Sequence, residues 1–311
     1  MDFLYVTCGF VILLIAGDVL VRGAVGLSLK LGIPALIVSL TIVAFGTSAP
    51  ELLISIKAAL DNASGLAMGN IVGSNIANVL LVLGLPALLF GISTKDASCK
   101  QNYIYMILAT VVFISMGLMG PFTYVNGILM LSMLAVILFQ AYRHAKQSRA
   151  ALLAATEDVP QTDGKWWKII IMLAIGVVGL PFGANLLVEG AVNIAQRAGI
   201  DEAIIGLTMV AIGTSLPELA TTVMAAYRKE ADVAIGNVIG SNIFNLLGVI
   251  GVTSLIATLP VSQAFVSFDF WVMLASSLVL LPFIWFKIDL GKLWGILFLA
   301  VYTGYICLLF I

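Results

Sequence analysis

Ala44-Phe45-Gly46-Thr47-Ser48-Ala49-Pro50-Glu51 returns as Ala211-Ile212-Gly213-Thr214-Ser215-Leu216-Pro217-Glu218, and both copies stand inside long apolar runs. Insertion scales put a carboxylate at the bilayer centre at roughly +2.5 to 3.5 kcal/mol, so an acid kept there in duplicate marks a functional site. The copies share one offset, because 211 − 44 and 236 − 69 both equal 167. At that offset residues 32–84 align without a gap onto 199–251, with about half of the paired residues identical. Gly23-Ala24 and Gly190-Ala191 fall in the same register, which carries the duplication back into the first apolar run of each half.

The 311 residues are 61% hydrophobic and only 10% charged, with a mean hydropathy of +1.14. A soluble domain would carry about a quarter charged residues, and a β-barrel would show short alternating strands. The chain therefore reads as an all-α polytopic membrane protein. Apolar runs bounded by charges, Gly or Pro start near residues 3, 33, 67, 102, 124, 166, 200, 233, 267 and 291, which makes ten transmembrane spans.

Between the fifth and sixth spans, residues 143–165 form a long polar stretch that reads as a linker between a first repeat at 1–142 and a second at 166–311. With the amino terminus outside, 13 of the 15 Lys and Arg residues fall on the inner side, leaving Lys57 and Arg197 outside. That is the positive-inside pattern, with both termini external and the linker cytoplasmic. Five spans is an odd number, so the second repeat enters the membrane upside down. Inverted repeats are the architecture of secondary transporters, whose sites lie where the repeats meet. Met1-Asp2-Phe3 lacks a basic n-region, so the first span is expected to stay in the protein rather than leave as a signal peptide.

Pro50 has no N–H for the carbonyl of Gly46, and its ring crowds that carbonyl, so the helix is predicted to open just before Glu51; Pro217 does the same at Gly213. Backbone oxygens at Gly46, Thr47, Gly213 and Thr214 then need another partner, because unpaired groups do not survive in lipid. A cation would serve. Carboxylate, hydroxyl and carbonyl oxygens together suit Ca2+ or Na+ far better than Zn2+ or Cu2+. One such motif is equally well explained as a kinked helix with a locally satisfied glutamate. Two copies in an inverted repeat favour Glu51 and Glu218 meeting near the membrane midplane to bind a carried cation.

In the following span Asn70, Ser74 and Asn78 recur at i, i+4 and i+8 on one face, and Asn237, Ser241 and Asn245 repeat the stripe. The adjacent Gly69 and Gly73, or Gly236 and Gly240, should let a neighbouring helix approach closely. Ser74, Asn78, Ser241 and Asn245 are the better ligand candidates, whereas Asn70 and Asn237 are as well explained by hydrogen bonds between helices. Asp18 and Arg22, at i and i+4, read as a local ion pair. Glu189 and Arg197 should lie towards the outer end of the sixth span, and Asp269 and Asp289 fall near span ends, where they are expected to be interfacial.

Other chemistry finds little support. Cys8, Cys99 and Cys307 are too few and too scattered for a disulfide framework or a CxxC metal site, and read as free thiols. His144 is the single histidine and sits among Arg143, Lys146 and Arg149, as a solvated surface residue would. With no GxSxG or HExxH and no base to pair with Ser48 or Ser215, an intramembrane enzyme is disfavoured. No prosthetic group, nucleic acid or protein partner is indicated; the bilayer is the expected surrounding.

Gly46-Thr47-Ser48-Ala49-Pro50-Glu51 with Gly69-Asn70-x-x-Gly73-Ser74-Asn75, and Gly213-Thr214-Ser215-Leu216-Pro217-Glu218 with Gly236-Asn237-x-x-Gly240-Ser241-Asn242, resemble the two alpha repeats of the sodium/calcium exchanger family. Length, ten spans, central loop and inverted halves are similar to its prokaryotic members, which implies the plasma (inner) membrane of a prokaryote. The resemblance implies Ca2+ held by Glu51 and Glu218 with backbone oxygens of Thr47 and Thr214. It further implies Na+ sites using Ser48, Ser74, Ser215, Ser241, Asn78 and the carbonyls of Ala44 and Ala211. Family members often carry Asp where this chain has Asn245, so the central charge is two carboxylates rather than three, which bears on the coupling ions. The resemblance implies exchange of Ca2+ for Na+ by alternating access; H+/Ca2+ exchange and, further off, a cation channel are the alternatives.

Overall fold

The computed structural model describes residues 2–94, 99–155, 165–198 and 213–309. In the first half the chain forms α1 (Asp2–Leu31), α2 (Ala35–Thr47), α3 (Ala49–Leu60), α4 (Ser64–Leu89), α5 (Lys100–Met119) and α6 (Tyr124–Ala155). In the second it forms α7 (Trp166–Arg197), α8 (Leu216–Tyr227), α9 (Ala231–Ile256), α10 (Phe265–Trp285) and α11 (Lys292–Leu308). Seven of these helices are long and apolar enough to cross a membrane, and α2 with α3 makes an eighth span bent by 42°. To these α11 adds a shorter apolar helix. The span expected from residue 200 lies mainly at 199–212, outside the described residues, and α8 is its described continuation. Helix α6 runs on to Ala155, so the front of the polar stretch at 143–165 is helical, while 156–164 lie outside the described residues.

Backbone pairing reports the inversion. Ile92 and Leu290 exchange two N–H···O bonds of 2.9 Å, joining the loop after α4 to the loop before α11. Phe122 and Leu259 exchange two more of 2.9 Å, joining the loop after α9 to the loop before α6. Since 92 + 167 = 259 and 122 + 167 = 289, the two contacts correspond to within one residue with the repeats exchanged. The turns ending α3 and α8 also match: Asn62 (φ 58°) and Lys229 (φ 62°) are left-handed, and Ala63 and Glu230 donate back to Ala58 and Ala225.

Helices α4 and α9 occupy the centre, with 78% and 89% of their apolar windows buried against 22% for α6 and 28% for α7. Each repeat thus sends its polar stripe inward and its lipid-facing helices outward. Helices α1 and α7 run antiparallel in direct contact: a Cβ on Gly9 would stand 2.5 Å from Leu187 N, and one on Gly176 would stand 2.5 Å from Leu20 Cβ. Leu13, Ala16, Leu20, Ile169, Leu180 and Ala184 of this pair belong to an apolar cluster distinct from the large one around α4 and α9. The pair is a second packing unit laid against the core.

Wider i to i+5 turns occupy Ser39–Val43, Asn78–Val82, Phe244–Val249 and Phe265–Asp269. Two of them overlay at the repeat offset around Asn78 and Asn245. Turns of this kind are rare and gather at functional sites.

Candidate functional site

Each motif breaks its helix at the serine. Ser48 (φ −83°, ψ 5°) separates α2 from α3, and Ser215 (φ −83°, ψ 1°) precedes α8. Pro50 and Pro217 stand in the first turns that follow, where a missing N–H costs no helical bond. A serine at this position ordinarily turns its hydroxyl onto the helix it starts. Neither does so here. Ser48 Oγ instead donates to Glu218 Oε1 of the other repeat at 3.2 Å.

That bond belongs to a set that crosses between repeats. Ser241 Oγ stands 3.4 Å from Glu218 Oε1 and 3.4 Å from Thr47 Oγ1. Thr47 Oγ1 also donates to Asn237 Oδ1 at 3.3 Å and to the carbonyl of Ala44 at 3.3 Å. The offset mate of the Thr47–Ser241 contact is Ser74 Oγ to Thr214 Oγ1 at 3.5 Å. The break of each repeat therefore faces the polar stripe of the other, and both glutamates are fully enclosed at 0% exposure.

Of the twelve residues expected from the sequence, Thr47, Ser48, Glu218 and Ser241 are joined by direct contacts, and Ser74 meets Thr214. Among the described residues neither carboxyl oxygen of the buried Glu51 has a hydrogen-bond partner, nor does Ser215 Oγ or Glu218 Oε2. Asn78 Nδ2 donates to Asn242 Oδ1 at 3.0 Å, and among the described residues its own oxygen and both amide atoms of Asn245 have no hydrogen-bond partner. The carbonyl of Ala44 accepts the Ser48 N–H at 3.0 Å besides the Thr47 hydroxyl. Ala211 lies outside the described residues.

Four residues carry more than the sequence assigned them. Asn242, between the two stripes, takes the Asn78 amide and donates to the carbonyl of Asn75 at 3.4 Å. Ser55 and Thr222 accept from Asn70 and Asn237 at 3.0 and 3.1 Å. Their i+4 spacing from the glutamates was the available signal. Arg228, in the turn after α8, reaches Asp18 beside the expected Asp18–Arg22 pair.

Asp269 departs from the interfacial placement expected of it. It is 7% exposed, and Tyr305 of α11 donates its hydroxyl to it at 2.9 Å. Arg197 pairs with Asp2 across α1 and α7 at 2.6 Å. Cys99 is buried at the start of α5, and burial pushes its thiol up to about 11, so it stays protonated. Among the described residues no three His, Cys, Asp or Glu side chains gather as a metal cluster. A cation held at the breaks would rely on two carboxylates and on neutral oxygens, a donor set for hard ions.

Comparison with known proteins agrees with this architecture. The family model described as "Sodium/calcium exchanger protein" matches residues 1–143 and 168–311. CaxA of Alkalimonas amylolytica is 37% identical over 99% of this chain and 98% of its own length. The sodium/calcium exchanger MaX1 of Methanosarcina acetivorans is 31% identical over 99% of this chain and 98% of its own. A solved structure of the sodium-calcium exchanger NCX_Mj, soaked with zero Na+ and Ca2+, superimposes with a TM-score of 0.85 at 31% identity, covering 99% of this chain and 98% of that one. A match along both repeats, their breaks and their stripes leaves one assignment: the chain belongs to the sodium/calcium exchanger family.

Proposed function

We propose that this protein is a secondary antiporter that exchanges Ca2+ for Na+ across its membrane by alternating access. One observation carries the reading. Two fully buried carboxylates, one from each repeat, keep three of their four oxygens without a hydrogen-bond partner among the described residues, and hydroxyls of both repeats converge on the fourth, Glu218 Oε1. Buried polar atoms without partners are costly, and a cation supplies what they lack. We assign the Ca2+ ligands to Glu51, Glu218 and the backbone oxygens of Thr47 and Thr214, and Na+ ligands to Ser48, Ser74, Ser215, Ser241, Asn78 and the carbonyls of Ala44 and Ala211. We count Asn245, the neutral repeat mate of Asn78, among the candidate ligands.

Charge then makes the exchange obligatory. Two ionised glutamates place −2 in the membrane, and closing an empty site around them is electrostatically unfavourable. One Ca2+, or two Na+, cancels it. The transporter changes state only when filled, and α1 with α7, packed as a unit of their own, supply the element that slides over the core. The termini face outward and the 143–165 stretch lies in the cytoplasm of a prokaryotic plasma membrane, as the Lys and Arg distribution supports.

Ca2+ uptake into proteoliposomes, driven separately by outward Na+, K+ and pH gradients, tests the reading. Uptake is expected from the Na+ gradient and is lost in Glu51→Gln and in Glu218→Gln while both variants remain folded. Uptake driven by the pH gradient alone would make it an H+/Ca2+ antiporter, and single-channel current without a counter-ion would make it a channel.

A further inference from the structure

Asn70 and Asn237 each reach from the polar stripe into the broken span of their own repeat. Asn70 Nδ2 donates to the main-chain carbonyl of Glu51 at 3.2 Å and to Ser55 Oγ at 3.0 Å. Asn237 Nδ2 donates to the main-chain carbonyl of Glu218 at 3.3 Å and to Thr222 Oγ1 at 3.1 Å. All six residues are related in pairs by the offset of 167, so two separately encoded segments have arrived at one arrangement. Both asparagines are enclosed, at 3% and 0% exposure, where no water competes for their amides.

The two N–H bonds of each amide span one helical turn, from the carbonyl of the glutamate to the hydroxyl four residues on. They clamp the first turn of α3 onto α4, and of α8 onto α9. That turn starts at the break. Asn237 has a further attachment. Its Oδ1 accepts from Thr47 Oγ1 of the opposite repeat at 3.3 Å, whereas Asn70 Oδ1 has no partner among the described residues. Both ends of the Asn237 amide are thus engaged in holding neighbouring segments.

We infer that Asn70 and Asn237 are positioning residues: they fix the glutamate-bearing turns against the polar stripes, and Asn237 also locks the two repeats in register. This rests on the reading that Glu51 and Glu218 take up the cation. Loss of the clamp lets a carboxylate leave the enclosure at a cost to affinity, while the ligands themselves and the sliding unit remain.

The test measures the half-saturating Ca2+ concentration, the maximal rate and the melting temperature of Asn70→Ala, Asn237→Ala and the corresponding Ser variants in the full-length exchanger. Removing one buried hydrogen bond corresponds to about a fivefold change in affinity. The half-saturating Ca2+ is expected to rise about fivefold or more in Asn237→Ala and less in Asn70→Ala, with the maximal rate within about twofold of the parent. Ser, which keeps a small donor, restores part of the affinity, and it carries the comparison if an Ala variant does not fold. A folded Asn237→Ala or Asn237→Ser with lowered melting temperature and unchanged half-saturation overturns the inference and leaves a purely structural role. An effect at Asn70 equal to that at Asn237 overturns the inter-repeat part. Survival of Ca2+ uptake in Glu218→Gln would instead sink the ligand reading, whatever the asparagine variants do.

Discussion

Gly240 sets how closely α9 approaches α2, and replacing it with alanine tests the packing that assembles the site. A methyl group there would stand 2.6 Å from the carbonyl oxygen of Leu40, 2.6 Å from Cβ of Ala44 and 2.9 Å from Cα of Leu40. Ordinary contact begins at 3.4 Å, so the helices must part by 3.4 − 2.6 = 0.8 Å. Two of the three obstacles are backbone and cannot rotate away. Ser241 follows directly, and its 3.4 Å approach to Thr47 is already at the outer limit of a hydrogen bond, so a 0.8 Å separation breaks it. Overpacking costs about 1–3 kcal/mol and the lost bond about 0.5–1.5, for a total on the order of 3 kcal/mol. Thermal unfolding in detergent measures the loss, with Ca2+ flux recorded on the same preparations. The double variant Gly240→Ala/Ala44→Gly removes one obstacle and leaves both Leu40 contacts, so it should recover less than half. An unchanged melting temperature in Gly240→Ala, or full recovery in the double variant, would refute the claim that backbone contact at this glycine holds the two helices together.

Arg228→Ala is expected to lower stability by about 1–2 kcal/mol, between the exposed and buried limits for ion pairs, because Asp18 is 18% exposed and keeps Arg22 at 2.7 Å; unfolding at low and high salt checks this, with the smaller loss at high salt. Tyr305→Phe strips the only hydrogen bond recorded for the Asp269 carboxyl among the described residues and should cost about 1–3 kcal/mol, read as a drop in melting temperature without a change in half-saturating Ca2+. Lys229→Gly relieves a left-handed backbone at φ 62° and is expected to stabilise by up to about 1 kcal/mol, unlike substitutions at most exposed lysines.

Much of the fold could be read in advance because membrane helices announce themselves by length and apolarity. The described helices that open an expected span start at residues 2, 35, 64, 100, 124, 166, 231, 265 and 292, each within three residues of its expected place, while α3 and α8 continue spans past their breaks. The breaks at Ser48 and Ser215 were legible too, since a proline in an apolar run constrains the carbonyl four residues back whatever surrounds it. Long-range partners were not. Asp18 and Arg22 are neighbours by helical spacing, but Arg228 joins them from the far end of another repeat. Asp269 was expected at an interface because sequence shows where a span ends and not which face a later helix covers; α11 covers it. The glycine stripes divide the same way. Gly236 and Gly240 meet α2 as expected, with Leu36 and Leu40 against them, while the segment that the offset places against Gly69 and Gly73 lies at 203–211, outside the described residues. The wide turns at Asn78–Val82 and Phe244–Val249 have no signature in residue type, because an extra residue per turn is selected by packing rather than by propensity.

The contacts around the two glutamates differ although the residues do not. Thr47, Ser48, Glu218 and Ser241 are connected; their offset mates Thr214, Ser215, Glu51 and Ser74 are the same residue types, yet Ser215 Oγ and both Glu51 oxygens make no hydrogen bond among the described residues. Identical side chains carry identical intrinsic chemistry, so the difference must originate in the scaffold. Helix α7 breaks the symmetry. Val177 packs against Gly46 and Val188 against Gly213, so one helix lies beside both breaks. A faithful exchange of repeats would set Phe10 of α1 against Gly213, because 10 + 167 = 177, but Phe10 is 54% exposed. On the proposed sliding of α1 with α7 along the core these environments would exchange, and Ser215 and Ser74 would make with Glu51 the contacts that Ser48 and Ser241 now make with Glu218. Two arrangements built from matching contacts differ little in energy, and a small energy gap is the condition under which bound ions can decide which one is populated.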